Sequence, residues 1–256
     1  MIWNTIHTLD IILWVVMACS VAYVAFYALV YLFHRNSRSL PKADDTTGKA
    51  RFLVLYPAYR EDKVIVNSIK VFLQQDYPSE RYTLVVISDH QKRQTNENLS
   101  LLPITLLKPN FLRSSKAKAL QYAIGCIEGE YDNVVILDAD NVVESDFLSR
   151  LNIMQNKGYK AIQCHRCAKN SDSSISILDG ISEEINNTLF RKSHNIIGLS
   201  SALIGSGMCF NYQWFKDNVT KLSTAGEDRE LEVLLLKQSI FIKYADHIPV
   251  FDEKVS

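Results

Sequence analysis

From Ile11 to Phe33 the chain carries 23 residues without one charged side chain. A run of Ile, Leu, Val, Ala, Trp, Tyr and Phe this long leaves no polar face for water. As a helix rising about 1.5 Å per residue, it is long enough for a hydrocarbon core of roughly 30 Å. A cleaved secretion signal has a basic start and a shorter apolar stretch of about 7–15 residues. Here no Lys or Arg precedes Arg35, and His34, Arg35, Arg38, Lys42, Lys49 and Arg51 follow the run. Basic residues mark the cytoplasmic end of a span. The expectation is a single pass through the cell (inner) membrane over residues 11–33, N-terminus outside, bulk of the chain in the cytoplasm. Trp3, Trp14, Tyr31 and Phe33 would sit at the interfaces, with membrane lipid as a partner.

Residues 34–50, rich in Ser, Lys, Asp and Thr, read as a polar juxtamembrane linker. Beyond it the chain is long enough to bury one sizeable core. Lys plus Arg equal Asp plus Glu at 28 each, so no global field draws in nucleic acid, which is excluded as a partner. Cysteine is present in an odd number, with Cys19 in the apolar run, and a cytoplasmic domain keeps the rest reduced. Cys164-His165-Arg166-Cys167 has no second C-x-x-C or H-x-x-x-H to complete a zinc site. With Ala161 and Ile162 before it, the pair reads as core thiols on a strand.

The chemistry centres on Val134-Val135-Ile136-Leu137-Asp138-Ala139-Asp140-Asn141. Four apolar residues in a row read as a strand buried on both faces, ending in carboxylates at i and i+2. Two acids at one strand end raise each other's pKa unless a cation lies between them. Oxygen ligands of this kind suit Mg2+ or Mn2+, which bind through one or two carboxylates plus substrate phosphates. A pair of solvated turn acids is the simpler alternative, and the pair alone does not decide between them.

A strand–helix alternation surrounds this stretch. Strands are expected at Arg51–Tyr59, Tyr82–Ser88, Leu99–Leu107, Val134–Leu137, Lys160–Cys167 and Ile240–Ala245. Helices are expected at Glu61–Gln75, from Ser114 as N-cap to about Gly125, at Ser145–Asn156, Ile175–Ile196 and Ala225–Lys237. Such an order predicts an α/β domain with a mostly parallel or mixed central sheet flanked by helices, its ligands at the carboxyl ends of the strands. That rule gathers Glu61, Asp62, Asp89, Asp138 and Asp140 at one edge. Gly205-Ser206-Gly207-Met208 is a small-residue loop that lets backbone approach a ligand, or a plain turn. Glu227 and Asp228 open a helix, where acids also serve as dipole partners.

Six short motifs occur in one order: Leu55-Tyr56-Pro57-Ala58-Tyr59-Arg60-Glu61, Val85-Val86-Ile87-Ser88-Asp89, Ser115-Lys116-Ala117-Lys118-Ala119-Leu120, Asp138-Ala139-Asp140, Ile204-Gly205-Ser206-Gly207 and Gly226-Glu227-Asp228. Together they resemble the membrane-bound glycosyltransferase family 2 enzymes, the group of cellulose, hyaluronan and chitin synthase-like proteins. In that family they correspond to P-A-Y-N-E, a strand-end Asp, G-K-A-x-A-L, D-x-D, G-S/T-G and T-E-D. The resemblance implies the GT-A nucleotide-diphospho-sugar transferase fold over residues 51–256, after the transmembrane helix and linker. It implies a metal-dependent, inverting transfer of a sugar from a nucleotide-sugar donor, by family default a UDP-hexose or UDP-N-acetylhexosamine. The acceptor would be a hydroxyl of a carbohydrate or lipid-linked molecule.

The resemblance also implies roles. Glu61 and Asp89 would contact the nucleoside, and Lys116 the nucleotide and its phosphates. Asp140 would hold Mg2+ or Mn2+ on the diphosphate, with Asp138 beside it on nucleotide or ion. Asp228 would be the general base that accepts the acceptor's proton. Gln163, His165, Gly205, Ser206, Gly207 and Glu227 would lie on the acceptor side.

Arg60 stands where the family has Asn, and His90-Gln91 where it has small residues. The family's Q-x-x-R-W motif and following membrane helices do not occur, so the domain is expected to be incomplete at its C-terminus and processive export is not expected. Two other readings compete. Asp138-Ala139-Asp140-Asn141-Val142 also fits the D-x-D-x-T/V pattern of haloacid-dehalogenase-like phosphatases. A non-catalytic, membrane-anchored nucleotide- or partner-binding domain is the other.

Overall fold

The computed structural model describes residues 2–34 and 48–253. Arg35, Arg38, Lys42 and nearly all of the expected linker lie outside them.

The central sheet begins with β1 (Phe52–Tyr59), β2 (Tyr82–Asp89), β3 (Thr105–Leu107) and β4 (Asn133–Ile136). These pair in parallel in the order β3-β2-β1-β4. Every residue of β4 is buried, as its apolar run requires. Alternate residues then take opposite faces. Phe52, Val54, Tyr56 and Val135 join one core with Ile65, Ile69 and Phe72 of α2 (Ile65–Phe72) and Phe147, Leu148 and Leu151 of α5 (Phe147–Asn156). Leu53, Leu55, Val134 and Ile136 join a second core with α4 (Lys116–Cys126), α8 (Tyr212–Val219) and α9 (Glu227–Lys237). The sheet is therefore sandwiched between helices.

Its other half is mixed. Beyond β4 come β7 (Met208–Asn211), β6 (Ala161–Ala168), β8 (Ile242–Asp252) and β5 (Val142–Val143) in that order. β7 is antiparallel to both neighbours, β6 and β8 are parallel, and β5 is antiparallel to β8. The sequence-adjacent β4 and β5 are thus four strands apart in the sheet. In a flat sheet four steps of about 4.8 Å would need about 19 Å, nearly the full reach of the extended connection. That connection is instead tightened into a turn, with Asn141 N donating to Asp138 O at 3.0 Å. The sheet must curl, and the D-x-D segment bridges its mouth.

Several expectations change in detail. The strand expected at Leu99–Leu107 shrinks to β3, because α3 (Arg93–Ser100) occupies its start; only Thr95 and Leu99, one turn apart, are buried in that polar helix. Ser115, not Ser114, caps α4, accepting from Lys118 N at 3.2 Å. The last strand runs to Asp252, well past Ala245. β5, β7 and α8 were not expected, each being short. The helix expected at Ile175–Ile196 is α6 (Ser174–Asn186), continued by a wide π turn at Asn187–Lys192 into α7 (Ser193–Ile196). Cys164 is buried on β6 and Cys167 half-buried, with free thiols, as the core-thiol reading requires.

Helix α1 (Ile2–His34) extends beyond the expected span and is the one helix among the described residues long and apolar enough to cross a membrane. Most of it is exposed. Its last turns dock on the domain: Ser193 Oγ donates to Tyr27 O at 3.0 Å, and the Tyr27 ring lies 4.5 Å from that of His194.

Two departures from the family motifs fall at left-handed backbone. Arg60 and His90 each have φ 56°, directly after β1 and β2. A β-carbon is disfavoured there, and Asn tolerates the conformation best among non-glycine residues. Gly207 (φ +63°) is tighter still. A β-carbon on it would stand 3.1 Å from Val250 Cγ2 and 3.2 Å from Cys164 Cβ.

Arg60→Asn is therefore expected to raise stability by about 0.5–1 kcal/mol. Gly207→Ala is expected to lower it by about 1–3 kcal/mol. Urea midpoints at constant slope would check both.

Candidate active site

The parallel register brings the strand ends level. Tyr59 pairs with Asp89 and Leu55 with Ile136, and Leu137 N donates to Leu55 O at 3.0 Å. Glu61, Asp89, Asp138 and Asp140 therefore gather along one edge, as expected from the sequence. Asp62 turns to a structural task. It accepts from Lys92 N at 2.7 Å and Thr95 Oγ1 at 2.6 Å, joining the β1 loop to α3. Burial would raise its pKa, but these hydrogen bonds outweigh burial and lower it.

Lys116 lies at the centre of the edge. The cap on Ser115 starts α4 so that its first residue reaches across the cleft. The ammonium lies 2.5 Å from Asp138 Oδ1, 2.6 Å from Gly205 O and 3.5 Å from Glu227 Oε1. It thus ties the D-x-D turn, the glycine loop and the first turn of α9. Gly205 has φ +79°, backbone that a side chain rarely adopts, while a β-carbon there would meet Asp228 Oδ2 and Lys116 Nζ only at ordinary contact, 3.8 and 3.9 Å. Glu227 is buried, and burial raises its pKa against the pull of Lys116. Asp228 is half-buried at the helix start, accepting from Arg229 N at 2.8 Å.

Asp140 is different in kind. Burial raises its pKa, Asp138 and Asp252 add repulsion, and a hydrogen bond from Glu253 N (3.2 Å) only partly offsets them. Glu61 is raised too, by burial and then by Asp140, Asp138 and Asp62. Among the described residues neither acid has an ion-pair partner, and no three His, Cys, Asp or Glu side chains form a metal cage. A carboxylate whose pKa is raised by burial and by neighbouring Asp138, as at Asp140, fits a divalent cation that completes its shell with phosphate and water oxygens.

Asp89 is buried with His90 Nδ1 at 2.6 Å. Gln163, expected on the acceptor side, is fully buried and props the glycine loop: its Nε2 donates to Ser206 O at 2.8 Å and its Oε1 accepts from Ile204 N at 3.0 Å. His165 points elsewhere. Pairing between β6 and β8 shifts after Cys164, where Asp246, His247 and Ile248 are looped out of β8; such bulges re-aim side chains. The His165 ring meets Glu184 of α6 at 3.0 Å and Asp246 at 3.4 Å. Burial alone would lower its pKa, but these acids push it up to about 11.

Sequence reasoning missed three residues. Asn141 is fully buried; its Oδ1 accepts from Asp138 N at 3.0 Å and from Ser206 Oγ, locking the D-x-D turn to the glycine loop. Its position after two acids was the available signal. Arg166 grips Asp252 through Nε (2.8 Å) and Nη2 (2.5 Å), balancing the acid that repels Asp140. Asp252 had no local signal, because only the long β8 brings it there. A depression of about 420 Å3 lined by Gln91, Arg93, Asn96, Glu97, Ser100 and Lys108 lies beside α3 and shares no residue with the acid edge.

Comparison with known proteins agrees with this fold. Residues 50–254 match the family described as "Glycosyltransferase like family 2". A Bacillus subtilis protein named "Probable glycosyltransferase YdaM" is 26% identical over 129 residues, covering 48% of this chain and 28% of that protein. The chain thus spans little more than a quarter of this curated relative. The mannosyltransferase PcManGT from Pyrobaculum calidifontis, solved with GDP-Man and Mn2+, superposes with TM-score 0.67 at 18% identity, over 92% of this chain and 67% of that one. S. aureus TarS 1–349 with UDP-GlcNAc gives 0.53 at 16%, over 80% and 59%. These structures share the GT-A-like fold, a curled mixed sheet between helices. A phosphatase of the haloacid-dehalogenase type would place its nucleophile after the first strand of its domain, whereas Asp138 follows the fourth. By the family match across its whole folded domain, this chain belongs to glycosyltransferase family 2.

Proposed function

We propose that the chain is a membrane-anchored, inverting glycosyltransferase that moves a sugar from a nucleoside-diphosphate donor to an acceptor hydroxyl with a divalent cation. The observation that carries this reading is the carboxylate edge, in which Asp138 and Asp140 repel each other at the mouth of a curled sheet. The complexes of relatives with GDP-Man and Mn2+, and with UDP-GlcNAc, support the donor class and the metal.

Glu61 and Asp89 accept hydrogen bonds from the nucleoside, as carboxylates can from ribose hydroxyls or a base N–H. Asp140, with Asp138, would hold Mg2+ or Mn2+ against the diphosphate. The cation supplies Lewis-acid neutralisation of charge on the departing nucleoside diphosphate. Lys116, released from Asp138, offers a flexible point charge to the same phosphates. Asp228 takes the acceptor's proton on the face opposite the leaving group, so the anomeric centre inverts. Glu227 and the Gly205–Gly207 loop, propped by Gln163, shape the acceptor side. His165 acts through the strand and not at the sugar, since its ring is committed to Glu184 and Asp246. The membrane anchor is α1, with the catalytic domain on the cytoplasmic side and the acceptor a carbohydrate or lipid-linked hydroxyl. A UDP-sugar is the first donor to test.

Thermal stabilisation and nucleoside diphosphate release, measured with UDP-GlcNAc, UDP-glucose and GDP-mannose with and without Mn2+ or Mg2+, test the reading. Asp140→Asn is expected to abolish metal-dependent donor binding. In chelator the same variant should melt higher than the parent at neutral pH. The sign follows because a carboxyl whose folded pKa is raised costs stability once ionised in the native state. Because the pKa values of Asp140 and Glu61 are raised, protons should compete with the metal at Asp140 and with the nucleoside at Glu61, so donor affinity falls early on acidification. Asp228→Asn should keep donor binding while transfer drops roughly 10²–10⁴-fold. Equal loss of binding in both variants would overturn the division of roles.

A further inference from the structure

Gln91 carries a side-chain amide that the fold leaves unanswered. Its Nε2 and Oε1 are both shut off from water, and neither has a hydrogen-bond partner among the described residues. Burying an amide in this state costs free energy at both ends, and such a group calls for an explanation. The amide lines the depression of about 420 Å3 beside α3, together with Arg93, Asn96, Glu97, Ser100 and Lys108. That volume lies within the range of small-molecule sites.

The backbone aims the amide there. His90 follows β2 in left-handed conformation (φ 56°), with its Nδ1 2.6 Å from Asp89 Oδ1. On the other side Lys92 N donates to Asp62 at 2.7 Å. Gln91 is therefore held between two fixed neighbours, two residues past Asp89. The small residues that the resembled family has here would bring no amide, so this group is particular to the present chain.

The rest of the wall is rich in donors. The one acid, Glu97, is already met by Arg93 Nε at 2.7 Å. Asn96 commits its Oδ1 to Ser88 Oγ at 2.5 Å, which leaves its Nδ2 to donate. Lys108, just past β3, adds an ammonium. Such a wall suits carbonyl oxygens and opposes an amino group, which would set N–H against N–H. The amide itself needs a donor and an acceptor side by side. Nucleobase edges have that pattern, and Gln reads them bidentately. Uracil and guanine place a keto oxygen beside a ring N–H, whereas adenine and cytosine carry an amino group in the keto position. Location agrees as well. β2 and β4 are two steps apart in the sheet, about 10 Å at strand spacing, which matches the offset a nucleoside sets between its base and a diphosphate held at Asp138 and Asp140.

We propose that Gln91 reads the donor's nucleobase, and that its pocket takes a keto-edged base, uracil or guanine, in preference to adenine or cytosine. This rests on the nucleoside-diphosphate donor reading above. Gln91 Oε1 accepts from the ring N–H, Nε2 donates to the adjacent keto oxygen, and Lys108 offers a charge-assisted donor to a remaining acceptor of the base.

The test is calorimetric titration of the full chain in detergent with UDP, GDP, ADP and CDP in the presence of Mn2+, for the parent, Gln91→Ala, Gln91→Glu and Lys108→Ala. The parent should bind UDP or GDP at least about tenfold tighter than ADP and CDP. Gln91→Ala should weaken the preferred nucleotide about 10–100-fold, change ADP and CDP little, and leave the urea midpoint no lower, because it removes an unanswered amide. Gln91→Glu keeps an acceptor but loses the donor, so preference should move towards CDP, whose amino group a carboxylate accepts. Lys108→Ala, at an exposed position, should narrow the parent's preference and keeps the test decisive if the Gln91 variants fold poorly. A loss spread equally over all four nucleotides marks a structural role and overturns the proposal, as does a parent that binds ADP or CDP as tightly as UDP and GDP. UDP or GDP binding left unchanged by Gln91→Ala also overturns it, while the donor reading stands. If none of the four binds with Mn2+, the donor reading fails and takes this inference with it.

Discussion

Like charge held at close range is the constraint that organises this molecule. Two carboxylates about 4 Å apart repel by roughly 4 kcal/mol at the effective dielectric of a protein surface, and this edge holds several. The protein supplies two fixed cations against them. Lys116 faces Asp138 and Glu227, and Arg166 faces Asp252. Asp140 and Glu61 are left with raised pKa values and no such partner among the described residues. A domain gains nothing in stability from that arrangement, so its use lies in what it can bind. The balance also sorts the residues into those that face a protein cation and those that, among the described residues, do not.

Holding such a cluster open needs a stiff frame, and the curl of the sheet provides it. β5 pairs with β8 immediately after the D-x-D turn, so the last strand closes over the segment that carries the acids. Its end delivers both Asp252 and the Glu253 N–H to Asp140. On the other side Asn141, Ser206 and Gln163 form a buried polar strut from β4 through the glycine loop to β6. Buried networks of this kind are costly when half-satisfied and specific when complete. The acids are thereby placed to within the tolerance of backbone hydrogen bonds, not of free loops.

How much of this was legible in the sequence depends on how local the signal is. β1, β2, β4 and β6 are short apolar runs bounded by turn residues, and period alone identified them. The face each residue takes followed from alternation. α3 was hidden because a helix with two buried positions has almost no apolar period, and β7 because four residues carry no pattern of their own. The strand-end acids could be read as a set, since the parallel-sheet rule collects strand ends. Arg166 and Asp252 could not, because their pairing depends on a register 86 residues apart in sequence. Gln163 and His165 were placed together on the acceptor side by the family resemblance, but the bulge in β8 aims them differently. One faces the glycine loop and the other faces α6.

That separation joins the cleft to the outer helix. Gln163 and His165 lie two residues apart on β6, so one strand carries both the prop of the acceptor-side loop and the anchor point of α6. The His165 ring, whose pKa burial would lower but Asp246, Cys167 and Glu184 push up, joins helix, bulge and strand, and Lys192 meets the same Asp246 at 2.7 Å. A substitution along β6 can therefore act on the glycine loop and on α6 at once, even though the two lie on opposite sides of the β8 bulge.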